Sequence, residues 1–211
     1  MNIIFISPHF PSNYYQFSQA LANQGVKVLG IADCSYDHLD WELKKTLTEY
    51  YRVDNMEDYG QLKNAVNFFH HKYGPIDRIF SLNEHWLEKE ANLRSDFNIP
   101  GIKKDTIDQI KQKSQMKQLY QSGGIAVARG EVIRAWKDAE KLVKAVGFPL
   151  VAKPDKGVGA ANTFKINNVH ELKHFFDNPP QVDYIFEEYI SGELLSFDGL
   201  VGQNGELLFY T

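Results

Sequence analysis

With 211 residues and a formal net charge of −4, the chain has room for one large or two modest domains and offers no basic field to nucleic acid or an acidic membrane. Its single cysteine, Cys34, excludes an intramolecular disulfide framework and fits a reducing cytoplasm. No apolar run reaches membrane-spanning length, and the opening MNIIFISP, with no basic residues, is expected to be a first strand and not a leader.

In chain order, Asn2 to Ser7 is a short apolar run suited to a buried parallel strand. Pro8-His9-Phe10-Pro11-Ser12 turns the chain. Tyr14, Phe17, Leu21 and Ala22 then fall at helical spacing before Gly25, and Val26 to Ile31 completes a βαβ unit. Tyr59 to Tyr73 reads as a helix with Leu62, Val66 and Phe69 inward, Asp77 to Leu82 as a strand, and Trp86 to Phe97 as a helix. The first hundred residues or so predict a small doubly wound α/β domain. Beyond Gly101, Asp105 to Ser122 predicts one polar, lysine-rich helix ending in Gly123-Gly124, and Asp138 to Val146 a second. Strands are then expected at Pro149 to Lys153, Asn162 to Ile166, Tyr184 to Ile190 and Leu195 to Gly202. Asn204-Gly205 signals a hairpin into Glu206 to Thr211. Trp41, Trp86 and Trp136 are expected to pack, and His70-His71 to complement a helix end. No zinc-ligand spacing or Ser-His-Asp pattern is present.

The chemistry concentrates in two stretches. In Val151 to Ile166, VAKPDKGVGAANTFKI, an apolar run delivers Lys153 to a glycine-bearing turn with Gly157 and Gly159. Glycines let backbone N–H groups approach an anion closely, and a neighbouring lysine adds charge, so the pattern suits phosphates. It is not Walker-type, because the lysine precedes the glycines. In Ile185 to Leu200, IFEEYISGELLSFDGL, an extended segment carries Glu187, Glu188 and Ile190. Such a segment offers a carbonyl, an N–H and a carboxylate to an adenine edge. Glu84-His85 and Ser7 to Ser12 follow strands, where ligands of open α/β sheets gather, and could border a substrate. The first turn lacks G-x-G-x-x-G, which disfavours a dinucleotide there.

Together these residues resemble the ATP-grasp superfamily, and most of all its carboxylate–amine ligases, carbamoyl-phosphate synthase large chains and biotin carboxylases. The resemblance implies a small Rossmann-like pre-ATP-grasp domain over 1–105. A helical linker and the first α+β lobe of an ATP-grasp domain would follow over 106–211, as part of a longer chain. Lys113, eleven residues before Gly124, matches the family's first nucleotide lysine and Lys153 its second. Asp155 to Ala161 matches its glycine flap, with Gly157, Val158, Gly159 and Ala160 as contacts. Glu187, Glu188 and Ile190 match the adenine segment. The family's ribose glutamate falls at Leu194, leaving the adjacent Glu193 as the candidate.

The implied function is ATP-dependent activation of a small-molecule carboxylate as an acyl phosphate, captured by an amine, in the cytoplasm. ATP and Mg2+ are the expected cofactors, with metal ligands and catalytic residues expected outside these residues and little turnover from this stretch alone. A homodimer is a candidate assembly, and a sheet edge near Glu206 to Thr211 is expected to be exposed and to pair artefactually between chains. The competing reading is a non-catalytic nucleotide-binding or regulatory module.

Overall fold

The computed structural model describes residues 1–157, 162–202 and 204–211. They form two compact units, Met1–Ile125 together with Asp155, Lys156 and Gly157, and Ala126–Pro154 with Asn162–Thr211.

The first unit holds four parallel strands, β1 (Asn2–Ile6), β2 (Lys27–Ala32), β3 (Glu49–Arg52) and β4 (Arg78–Phe80), in the order β3-β2-β1-β4. The order reverses at β1, which is where an open α/β sheet has its crevice, at the carboxyl ends of β1 and β4. Ile3 to Ile6 are all buried, as a sheet covered on both faces requires. The helices are α1 (Tyr15–Asn23), α2 (Trp41–Thr46), α3 (Tyr59–Tyr73), α4 (Leu87–Asp96), α5 (Asp108–Lys111) and α6 (Lys113–Ser122).

Helix α3 shows how the sequence dictates the element. The Asp58 side chain accepts from the N–H groups of Gly60 and Gln61 at its start. Leu62, Ala65, Val66 and Phe69 recur every three or four residues and are buried against Ile4, Ile6, Leu29 and Ile31. Gly74, at φ 85°, then takes the chain out of the helix in a conformation that favours glycine.

Three expectations change here. The single helix over Asp105 to Ser122 is two helices, because Gln112 turns to extended backbone (ψ 117°) and bridges Lys156 in antiparallel fashion. Trp41 is not a packing residue: it is 67% exposed, with the Lys45 ammonium 4.9 Å from the ring centroid. Helix α2 and strand β3 add a βαβ step that the sequence reading does not contain.

The second unit is an antiparallel sheet, β5 (Gly130–Val132), β6 (Leu150–Pro154), β7 (Phe164–Ile166) and β8 (Tyr184–Glu188), in the order β5-β8-β6-β7. Helices α7 (Trp136–Val146) and α8 (Val169–Asp177) cover one face, where Ala139, Leu142 and Leu172 meet Leu150, Ala152, Tyr184 and Phe186. Phe175 and Phe176 pack on the fully buried Phe186 ring at 5.1 and 5.9 Å. A hairpin of β9 (Gly199–Val201) and β10 (Leu207–Tyr210) completes the unit, so the strand expected over Leu195 to Gly202 shortens to three residues. Among the described residues no helix is long and apolar enough to cross a membrane.

Gly130 on β5 lies so close to β8 that a Cβ there would stand 2.0 Å from the Phe186 carbonyl oxygen and 2.6 Å from the Glu187 Cα. Both are backbone atoms, so relief requires moving a strand. Gly130→Ala is therefore expected to cost about 1–3 kcal/mol of unfolding free energy, read from urea midpoints at unchanged m value. An unchanged midpoint would show that the strand yields without cost.

Candidate functional site

Which side chains lie on the face of the antiparallel sheet away from α7 and α8 follows from its register. Val151 opposes Glu187 and Lys165, and Lys153 opposes Ile185. Opposed residues share a face and neighbours along a strand alternate, so Lys153, Lys165 and Glu187 all lie opposite the helix-packed core. Lys153 Nζ is 2.5 Å from Glu187 Oε2. The Glu187 side chain is 10% exposed and that of Lys153 30% exposed, so the carboxylate is sunk into the sheet and the ammonium reaches out. Lys165 on the same face lies 4.0 Å from the Tyr189 ring centroid.

Glu188 belongs to the other face. Arg129 grips it bidentately, with Nε 2.8 Å from Oε2 and the Arg129 N–H 2.7 Å from Oε1, while the Glu188 N–H donates to the Arg129 carbonyl at 2.8 Å. The pair raises the Arg129 guanidinium above its ordinary value, chiefly through the hydrogen bond to Glu188. The two expected adenine glutamates thus differ: Glu187 faces Lys153, and Glu188 anchors the strand end. Ile190 follows β8 and is 65% exposed; Glu193 is exposed in the segment before β9.

Lys113 begins α6 in the first unit. Its N–H donates to the Asp155 carbonyl at 3.0 Å, and its Nζ lies 3.4 Å from the Gly157 carbonyl oxygen. Lys113 and the first flap glycine are therefore neighbours within that unit. Val158, Gly159 and Ala160 lie outside the described residues.

At the carboxyl ends of the parallel strands, Ser7 closes β1 at φ 52° and leads to His9. His9 Nδ1 is buried and meets no hydrogen-bond partner among the described residues. Burial lowers the His9 pKa, partly opposed by the charge of Asp33. After β4, Asn83 accepts from the His85 N–H at 3.0 Å, and His85 Nε2 shares a 2.7 Å hydrogen bond with Glu57. The segments Ser7 to Ser12 and Glu84-His85 thus line the end of the sheet at which its strand order reverses. A separate pocket of about 500 Å3 in the second unit, lined by Phe164, Phe175, His170 and His174 among others, contains neither Lys153 nor Glu187.

Arg129, Lys165 and Gly130 went unnoticed in the sequence because each acquires its place only through strand pairing. Period-2 alternation from Lys153 and Glu187 was the available signal for Lys165, once the register is known.

No family model matches the chain. It is 33% identical over 127 residues to an L-arginine-specific L-amino acid ligase of Bacillus subtilis, covering 60% of this chain and 30% of that protein. It is 21% identical over 122 residues to the arginine-specific carbamoyl phosphate synthase large chain of Bacillus subtilis (strain 168), covering 57% of this chain and 12% of that one. Among solved structures, the N5-carboxyaminoimidazole synthetase of Staphylococcus aureus complexed with ADP superposes with a TM-score of 0.71 at 19% identity, over 98% of this chain and 52% of that chain. These ligase and synthase homologues are ATP-grasp enzymes, the superfamily that the sequence resembles, and the solved neighbours share the chain's fold. It spans less than a third of the length of these curated relatives and about half that of the solved chain.

Proposed function

We propose that these residues are the nucleotide-binding part of an ATP-dependent carboxylate–amine ligase. The single observation that carries the reading is Lys153, held by the sunken Glu187 on the face of the sheet away from α7 and α8 and followed directly by the glycine-bearing segment. A lysine so held is oriented before any ligand arrives, which lowers the entropy cost of meeting a phosphate. Lys113 supplies a second charge, and Gly157, Val158, Gly159 and Ala160 supply backbone N–H groups. The backbone of Glu187 to Ile190 reads adenine, with Glu193 as the ribose candidate. ATP provides the phosphoryl group: the substrate carboxylate attacks the γ-phosphorus, ADP leaves, and an amine displaces phosphate from the acyl phosphate to form a C–N bond. Phosphoryl transfer depends mainly on positioning and charge neutralisation, the two tasks assigned to the lysines.

The substrate end of the proposal rests on the carboxyl ends of β1 and β4, where the orphaned His9 nitrogen would find a partner in a polar substrate group. Among the described residues no three His, Cys, Asp or Glu side chains gather to hold a metal, so this donor set does not itself fit a protein-held Mg2+. A cytoplasmic location and small-molecule substrates belong to the same proposal.

The test is calorimetric titration of the full-length protein with ADP, ATP, GDP and GTP, backed by thermal shift. Adenine nucleotides are expected to bind selectively; ligand at about 100 times its Kd stabilises the fold by about 2.7 kcal/mol. Equal stabilisation by guanine nucleotides, or none by either, would overturn the reading.

A further inference from the structure

We propose that Asp155 is a positioning residue that fixes Lys113 against the root of the glycine segment, so that the affinity contributed by Lys113 depends on a carboxylate that touches no ligand. The inference rests on the nucleotide reading above.

The start of α6 has a capping problem. The first N–H groups of a helix have no partner within it. Gln112, at the N-cap position, makes no side-chain cap. The cap comes instead from 41 residues further along the chain: Asp155 Oδ1 accepts from the Ser114 N–H at 2.8 Å and Oδ2 from the Ser114 hydroxyl at 2.8 Å. The Asp155 carbonyl takes the Lys113 N–H at 3.0 Å, and Gln112 bridges Lys156. Asp155 is only 7% exposed, so both oxygens work inside the fold, where charge-assisted hydrogen bonds are strong.

A local Asp or Ser at 112 would cap the helix equally well but would leave it unconnected to the segment after Lys153. Capping by Asp155 makes one rigid mount of the Lys113 backbone and the approach to Gly157. The Lys113 ammonium, 3.4 Å from the Gly157 carbonyl, then lies along that approach without choosing among distant rotamers. Lys156 adds breadth to the mount, with Nζ 2.7 Å from Asp108 and 3.4 Å from Glu88. These exposed pairs are individually weak, which leaves Asp155 as the principal fastening.

The experiment is a double-mutant cycle on ADP affinity in the full-length protein, comparing wild type, Asp155→Ala, Lys113→Met and the double variant by calorimetry. Asp155→Ala is expected to weaken ADP binding about tenfold alone and less than twofold in the Lys113→Met background, because the loss acts through that lysine. Asp155→Asn, which keeps an acceptor for the Ser114 N–H, is expected to restore most of the affinity; it also serves, with Ser114→Ala, should the alanine variant not fold. Equal fold losses in both backgrounds would show a general structural role and overturn the proposal, as would an undiminished affinity in folded Asp155→Ala. Failure of the nucleotide reading appears separately, as absent ADP binding by wild type or undiminished binding by Lys113→Met.

Discussion

Replacing Lys153 with methionine in the full-length protein should weaken ADP and ATP binding by about tenfold to a hundredfold, the range of one lost charge-assisted hydrogen bond. Two effects are folded into that substitution and can be separated. The first is loss of the ammonium that the reading assigns to phosphate. The second is loss of the ion pair between Lys153 and the sunken Glu187 carboxylate, which closes at 2.5 Å. Removing one member of a buried pair is costly in itself. The variant should therefore also unfold at lower denaturant, and titrations belong well below its melting temperature. Lys173→Met on α8 removes the same charge from the same unit at an exposed residue that pairs with Asp177. It controls for net charge and should alter affinity less than twofold. A Lys153→Met protein that is folded and binds ADP like wild type would remove the central element of the proposed site.

How far the sequence reaches is visible element by element. Strands β1 and β2 and helices α3 and α7 were legible because their apolar runs and three-to-four spacing are local facts, and tertiary packing agrees with them. Strand β3 reads EYYR and β5 is three residues beginning with glycine, so neither carries an apolar alternation of its own; each exists because a neighbour offers its edge. Helix α8 is a different failure. Asn168 accepts from the Glu171 N–H at 3.0 Å, and Glu171 reaches back to the Asn167 N–H at 2.8 Å. That is an N-x-x-E capping signature, a local signal in the sequence.

At the site, residue types were legible and their roles only partly so. The sequence marks Lys153, Glu187 and Glu188, but alternation about an unknown register decides that Glu187 meets Lys153 while Glu188 meets Arg129. The break at Gln112 was beyond reach, since its cause is a bridge to Lys156.

The largest expected loss of stability lies in the first unit, at Arg94. Its Nη2 is 2.6 Å from Glu90 Oε2 and its Nε is 2.9 Å from the Ile79 carbonyl oxygen, while Glu90 Oε1 takes the Ser81 N–H at 2.7 Å. One ion pair thus fastens α4 to the carboxyl end of β4, beside the crevice proposed for substrate. The Glu90 side chain is 1% exposed, and burial raises its pKa despite the opposing Ser81 and Arg94 interactions. Arg94→Met leaves that carboxylate buried without its charge partner and is expected to cost about 3–5 kcal/mol at pH 7. The pH dependence has a definite sign. A carboxyl whose folded pKa is raised binds its proton more tightly in the folded state, so its stabilising contribution is complete below the unfolded value and is lost as pH rises through the folded value. Without Arg94 the folded pKa rises further. The deficit of Arg94→Met relative to wild type should therefore shrink as pH falls from 7 toward 5, and Glu90→Gln in the same background should recover part of the loss at pH 7. A deficit that stayed constant with pH and was indifferent to Glu90→Gln would mean that the arginine acts through packing and its backbone hydrogen bonds instead of its charge.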